Sequence, residues 1–467
     1  MMAAQNKIAV RLAEFACAFD VDDAPAAVRE RACYSILDAI GVALAAGRFD
    51  FARRAADAVS ALADPGRVPV IGLLPLRLQM RDAAFLNGIL VHGLDYDDTH
   101  LLSAIHPTAS LLPTVLAVGY ERRSSGAEML AAYIVGLEAI ARLGMFGGVR
   151  LRELSFHPTS MIGIFGCALA AGRLLGLDAS ALAMAQGIAL SMASGTVGSP
   201  ADGASNKRLH PGWASQAGIT AAFLAKAGIK GPSRPYEGVR GLFRVLDDAD
   251  GFAALSAQMD DLGTVWEAGN IAVKPMPACH LIHACADAAT FLRSRHRFAI
   301  EDIRRITALV PAGIVQAVCE PLDLRRRPAD SYAAQFSIPY VVAASLVCGT
   351  FGLAELDPAA IGDPVILDLA AIVDYEVDEA STYPVHRTGE VRIELKDGTK
   401  VSHRETINRG APDRPLSLAD IAAKFRANAA LAVSSDHADR IANAVLAIED
   451  ARDGRVLVDA MCGSSAG

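Results

Sequence analysis

Apolar residues recur at helical spacing along most of the chain. After Asp23 and Pro25, the positions Val28, Ala32, Ile36, Leu37, Ile40 and Leu44 fall three or four apart, and Gly47 closes the run, which predicts one helix. The same spacing predicts helices over Phe51–Leu62, Met80–Leu94, Pro107 to about Tyr120, Ala127–Leu143, Thr159–Leu177, Ala179–Ala193 and Trp213–Lys226. Pro65-Gly66 stops the Phe51–Leu62 helix, and Pro113 is where the 107–120 helix is expected to deform. Met80–Leu94 is apolar nearly all round, so burial on most of its faces is expected. Val68–Leu74 reads as a short strand or extended connection, and Gly195–Asn206, rich in Gly, Ser, Pro and Asp, as a loop.

Near residue 265 the pattern changes. Ile271–Pro275 looks extended and feeds a predicted helix over Cys279–Arg293; Ile306–Pro311 reads as a strand and Ala334–Val347 as a helix. Glu390–Leu395 and Lys400–Ile407 alternate apolar and polar residues around Asp397-Gly398, a strong hairpin signal. From Leu416 to about Ile448 helical spacing returns. The expected fold class is mainly α: a large helical domain (1–267 plus 411–467) with a smaller α+β lid domain (268–410) inserted before the last helices.

Composition narrows the class. Of 467 residues, 52% are hydrophobic and 21% charged, which gives a globular, core-rich chain with disorder expected only at the termini. A net charge of −8 supplies no positive field for nucleic acid, so an anionic ligand needs a few local cations. The eight cysteines include no Cys-x-x-Cys pair and mostly sit in apolar runs, as expected of reduced, buried thiols in a cytoplasmic protein. Met1–Asp20 does not read as a signal peptide. Apolar runs such as Met161–Leu177 read as buried helices rather than membrane spans.

Candidate chemistry concentrates in Leu94-Asp95-Tyr96-Asp97-Asp98-Thr99-His100 and Ile105-His106-Pro107-Thr108. Three carboxylates, two imidazoles and two threonine hydroxyls in apolar surroundings make a candidate acid/base site. His106, His157 and His210 each precede proline, where chance would give about 0.5 such pairs. Proline favours the first helical position, so each histidine is expected at a helix start, where free NH groups favour a carboxylate ligand and disfavour imidazolium. Lys207 and Lys274 stand where loop or strand passes into helix. His92, Asp95, Asp98, His100 and His106 are also metal-ligand types, but no His-Glu-x-x-His spacing supports a metal, and His280-x-x-His283 lacks a nearby carboxylate. The glycines of 195–206 match no phosphate-binding loop.

Several ordered motifs resemble the MmgE/PrpD family, which includes 2-methylcitrate dehydratase, cis-aconitate decarboxylase and iminodisuccinate epimerase. They are His92-Gly-Leu-Asp-Tyr-Asp-Asp-Thr99, His106-Pro-Thr, Phe156-His-Pro-Thr-Ser, Lys207-Arg-Leu-His-Pro-Gly212, Val273-Lys-Pro-Met-Pro-Ala-Cys279 and Phe336-Ser-Ile-Pro-Tyr340. The resemblance implies a helical domain with an α+β lid, a homodimer, no metal or organic cofactor, and a cleft lined by Asp95, Thr99, His106, His157, Lys207, Lys274 and Tyr340. In that reading His106 transfers protons, with His157 as partner or second carboxylate anchor. Asp95 tunes His106 or acts through Thr99, and Tyr340 donates a hydrogen bond or proton. Lys207 and Lys274, with Thr99 and His210, hold a small di- or tricarboxylate. The segment His100–Ile105 lacks the Trp associated with the decarboxylase branch. The expectation is therefore a 2-methylcitrate dehydratase-like hydro-lyase, with carboxy-lyase or epimerase as alternatives and a non-catalytic ligand-binding homologue as the remaining one.

Overall fold

The computed structural model describes residues 7–73, 75–197, 204–246 and 249–461. Leu74 at the end of the 68–74 segment, residues 198–203 of the expected loop, and the terminal residues including Cys462 lie outside the described residues.

Among the described residues the first part of the chain is built mainly from the helices α1 (Ile8–Ala18), α2 (Ala26–Ala46), α3 (Asp50–Ser60), α4 (Met80–His92), α5 (Pro107–Arg122), α6 (Gly126–Glu153), α7 (Pro158–Leu174), α8 (Ala179–Leu190) and α9 (His210–Lys226), followed by two shorter ones, Leu242–Val245 and Ala249–Gln258. Their starts carry the expected chemistry. Pro107 and Pro158 occupy first-turn positions behind His106 and His157, and Ser125 and Glu128 close a capping box on α6. Pro113 sits inside α5 without ending it, because the helix is buried along its length and packing holds it. Small residues let the central helices approach closely. A Cβ on Gly88 of α4 would lie 2.5 Å from the Gly212 Cα of α9, so neither position has room for a side chain. Gly126–Gly148 within α6 is long and apolar enough to cross a membrane, and 89% of that window is buried inside the molecule.

Strands are few. β1 (Pro65–Pro69) pairs antiparallel with β2 (Arg77–Leu78), so the strand expected at 68–74 begins and ends earlier. β3 (Thr99–His100) pairs antiparallel with β4 (Ile271–Ala272), which ties the acidic stretch to the segment carrying Lys274. A four-stranded sheet has the order β6-β5-β7-β8, from β5 (Ile303–Val310), β6 (Val373–Val377), β7 (Gly389–Leu395) and β8 (Lys400–Glu405). β5 and β6 run parallel, and β7 and β8 form the expected hairpin, with Gly398 at φ 90° in its turn. The helices expected at 279–293 and 334–347 start later, at His283 and Ile338. Asp330 and Ser337 cap two successive starts in the latter region, which splits it.

Among the described residues two large hydrophobic cores result, with two small clusters beside them. One joins residues between Ile8 and Ile271 with Phe425, Ile441, Val445 and Leu457 of the closing helices; the other collects residues between Met276 and Ile393. The closing helices Leu418–Ala429 and Ser435–Leu446 thus return to the first core. The seven described cysteines are free thiols. Cys17 and Cys348 are exposed, contrary to the expectation of burial, because they sit at helix ends facing outward.

Candidate active site

The site is assembled by one loop and three helix starts. After α4 ends at His92, the chain turns through Asp95 at φ 48°, a left-handed conformation that Asp tolerates better than most residues. Lys274 fixes it there: its Nζ donates to the Asp95 carbonyl at 2.7 Å and to Oδ1 at 2.8 Å. Lys207 reaches the same Oδ1 at 3.0 Å. The His106 backbone NH donates to Thr159 Oγ1 at 3.1 Å, which locks the start of α5 to that of α7. His157 Nδ1 lies 2.9 Å from Nδ1 of His210, the first residue of α9. The His-Pro pairs of the sequence therefore meet in space.

Around His106 the contacts are specific. Its Nδ1 lies 2.8 Å from the Asp98 carbonyl, 3.4 Å from Thr99 Oγ1 and 3.5 Å from Asp97 Oδ2. Asp97 also receives His92 Nδ1 at 2.9 Å. Asp98 accepts from the Thr108 backbone NH at 3.3 Å and from the Thr108 hydroxyl, so it supports the first turn of α5. The ring centroids of His92 and His106 are 4.7 Å apart, those of His92 and His157 5.7 Å, and those of His106 and His157 6.2 Å.

Burial and charge set the protonation states. Burial lowers the His106 imidazole to about 3, with the Asp97 carboxylate only partly opposing it. Burial, then His92 and Lys207, lower His210 to about 4; burial, then Lys207, hold His157 well below its ordinary value. These imidazoles are neutral near pH 7. Burial works against the Asp95 and Asp97 anions, yet Lys207 and Lys274 hold Asp95 well below the usual carboxylate range, and His92 and His106 do the same for Asp97. Burial opposes the Lys207 ammonium, but Asp95 outweighs it and raises Lys207 above its ordinary value. Asp98 differs: burial raises it to about 7, and neighbouring Asp97 and Asp38 add to the rise.

The structure brings together Asp95, Thr99, His106, His157, Lys207, Lys274 and His210, but alters some expected roles. Asp95 is taken up by the two lysines, and the carboxylate that contacts His106, at 3.5 Å, is Asp97. Lys274 is fully buried and bound to Asp95 through both its contacts, so Lys207, which retains some exposure, is the cation open to a ligand. Tyr340 is not brought to this cluster. Its hydroxyl donates to the Glu355 carbonyl at 2.6 Å inside the second core, where Phe351 packs against its ring.

Other residues join the site from outside the expected set. His92 is buried with Nε2 unpartnered among the described residues, and Asp95 Oδ2 is likewise unpartnered. His280 Nδ1 lies 3.5 Å from Thr99 Oγ1, and its Nε2 lies 2.6 Å from Asn408 Nδ2. Gln335 donates through its side-chain amide to the Leu94 carbonyl. His92 opens the first quoted motif, so a signal for it existed; Asn408 and Gln335 had none, since both reach the site across more than 100 residues of chain. Ring nitrogens of His92, His106 and His157 lie within 4.8 Å of one another, as do ligand atoms of His92, Asp95, Asp97 and His106. A groove of about 1300 Å³ lies beside the site, between α3 and residues 328–362. On its wall the Arg208 guanidinium is sandwiched by Phe51 (4.3 Å) and Tyr332 (4.5 Å), while Nε donates to the Gly93 carbonyl at 2.9 Å.

Comparison with known proteins bears on what this cluster is. Cis-aconitate decarboxylase of Mus musculus is 32% identical over 418 residues, covering 85% of this chain and 81% of that protein. The Homo sapiens protein of the same name is 32% identical over 416 residues, covering 85% and 82%. Cis-aconitate decarboxylase of Aspergillus terreus strain NIH 2624 is 28% identical over 471 residues, covering 96% and 95%. Residues 10–254 match the MmgE/PrpD N-terminal domain, and residues 276–450 match the MmgE/PrpD C-terminal domain. The second match takes in the helices Leu418–Ala429 and Ser435–Leu446 that return to the first core. The ordered motifs and both halves of the chain therefore lead to one statement: this protein belongs to the MmgE/PrpD family.

Proposed function

We propose that the protein is a lyase that releases CO₂ from a small tricarboxylate of the cis-aconitate class, using histidine acid/base chemistry without an organic cofactor. The observation that carries this reading is the neutral imidazole array of His106, His157 and His210 beside the Lys207–Asp95–Lys274 ion pair. The names of the relatives move the reading from the water loss expected on the sequence to loss of CO₂.

Decarboxylation breaks a carbon–carbon bond and leaves its electron pair on the conjugated acid that remains. One proton must then be delivered to carbon, so the reaction consumes one proton and releases one CO₂. Lys207 exchanges part of its contact with Asp95 for a substrate carboxylate and stabilises the developing negative charge. Lys274 stays on Asp95, so that carboxylate keeps a partner during the exchange. The imidazoles are held neutral chiefly by burial, and nearby substrate carboxylates favour their protonated form. Proton uptake at His106 or His157 is thereby coupled to substrate entry. His106 is the proton donor in this reading, with Thr99 and the Asp98 carbonyl fixing its ring.

The test is product analysis by NMR in D₂O with cis-aconitate, 2-methylcitrate, citrate and iminodisuccinate offered separately. The expected result is CO₂ release from cis-aconitate with one deuterium on the product carbon. Water loss from 2-methylcitrate or citrate without CO₂ would restore the hydro-lyase. Exchange or inversion of iminodisuccinate alone would make it an epimerase.

A further inference from the structure

Three imidazoles of the candidate site, His92, His106 and His157, each have one ring nitrogen engaged and, among the described residues, one without a hydrogen-bond partner. His106 Nδ1 faces the Asp98 carbonyl, which only accepts, so Nδ1 carries the hydrogen and Nε2 the lone pair. The Asp97 carboxylate imposes the same tautomer on His92 through its contact with Nδ1. In the His157–His210 pair only one Nδ1 can donate; with His157 as donor, its Nε2 also holds a lone pair. Among the described residues no hydrogen-bond partner reaches Nε2 of any of the three, and that of His92 is buried.

Metal-binding histidines hold their second ring NH on a carboxylate, a backbone carbonyl or a comparable acceptor, which orients the ring and strengthens it as a donor. Here His92 uses a carboxylate, His106 a carbonyl and His157 a neighbouring imidazole. One ring nitrogen of each lies within 4.8 Å of the others. Three nitrogens around Zn²⁺ at about 2.0–2.1 Å stand roughly 3.3 Å apart, so the rings must turn inward to complete the site. The surrounding ion pairs do not forbid a cation, since the Asp95 and Asp97 anions balance the Lys207 and Lys274 ammoniums.

We propose that His92, His106 and His157 form a binding site for a divalent transition ion of the Zn²⁺ class, and that this ion and the polycarboxylate exclude one another. The ion takes the lone pairs that carry protons in catalysis, so occupancy inhibits. The competition rests on the lyase reading; the binding of the ion does not.

The experiment uses the purified full chain after treatment with EDTA. Co²⁺ is expected to bind at one equivalent with the intense visible absorption of a four-coordinate site, Zn²⁺ to displace it, and cis-aconitate to raise the apparent Kd for Zn²⁺. His92→Ala and His157→Ala should each abolish the Co²⁺ band while circular dichroism reports an intact helical fold. Asp97→Asn should weaken binding about 10- to 100-fold by releasing the His92 ring. His296→Ala, an exposed histidine elsewhere, should leave the titration unchanged. A Co²⁺ band that survives both histidine variants, or a pale six-coordinate spectrum in the parent, would overturn the site. Zn²⁺ affinity indifferent to cis-aconitate, or turnover abolished by EDTA and restored by Zn²⁺, would overturn the exclusion. A protein that binds the ion but never releases CO₂ would count against the lyase reading and leave the ion site standing.

Discussion

At the residue scale, Asp95 carries two lysines on one buried oxygen, and that geometry decides what its loss does. Asp95→Asn leaves two ammoniums without an anion, and breaking a buried pair in this way costs about 3–5 kcal/mol. Urea denaturation should register that loss together with a fall in turnover. His106→Ala acts differently: removing a positioned proton carrier should lower turnover about 10²- to 10⁴-fold, with little change in the urea midpoint. Intact turnover of a confirmed substrate would sink the central role given to His106. The buried imidazoles also fix the direction of acid sensitivity. In the unfolded chain they take protons below about pH 6.5, whereas His106 and His210 in the folded chain resist protonation down to about 3 and about 4. The unfolded state then binds more protons, so stability should fall as pH drops from about 6.5 toward 4. Asp98 runs the other way. Its folded pKa of about 7 stands above that of the unfolded chain, so its contribution is full at low pH and is lost as pH rises through about 7. Thermal melts across pH should show the acid loss, shallower in His210→Gln. The density of proton carriers at 95–108 was legible in the sequence, but the partner of each carrier was not. Asp95 and Asp97 are two residues apart, yet one pairs with Lys207 and Lys274 and the other with His92 and His106, partners that come from distant parts of the chain.

At the element scale, the site depends on how closely α4 and α9 approach, because α4 ends in His92 and α9 begins with His210, three residues after Lys207. Adding one methyl group at Gly88 would push against the backbone of Gly212 at 2.5 Å. Gly88→Ala is therefore expected to destabilise by about 1–3 kcal/mol and to reduce activity, since the helices must separate to admit it. Gly147→Ala in α6 is the matched control. Its Cβ meets nothing closer than Leu246 at 3.6 Å, so the helical preference of Ala should leave stability unchanged or raise it by about 0.5–1 kcal/mol. Urea midpoints of the two variants compare them directly. Helix starts were readable because proline and capping residues announce them locally, as at Pro107, Pro158 and Ser125. The two-residue strands β3 and β4 were not, since such strands exist only by pairing with each other over 170 residues of sequence.

At the scale of the whole molecule, the site lies where the two cores meet. His92, His106, His157 and Lys207 come from the first part of the chain, and Lys274, His280, Gln335 and Asn408 from the second. Lys424 of the closing helices adds a further tie, reaching Asp38 of α2 at 2.7 Å and the Tyr96 carbonyl at 2.8 Å. A ligand that bridges Lys207 and the imidazoles should stabilise both parts together. At one hundred times its Kd it adds about 2.7 kcal/mol, visible as a raised melting temperature with cis-aconitate in the parent and lost in Lys207→Ala.

The sequence by itself determined the helical class, the hairpin at Asp397-Gly398 and most of the candidate residues that the fold gathers, Tyr340 excepted, because spacing, capping, turn preferences and short motifs are local properties of the chain. Tertiary structure alone decided that Asp97 rather than Asp95 stands beside His106, that Lys274 is committed to Asp95, and that Tyr340 serves the second core. Those outcomes depend on backbone turns and long-range packing that place side chains distant in sequence within hydrogen-bonding distance, and no local pattern encodes them.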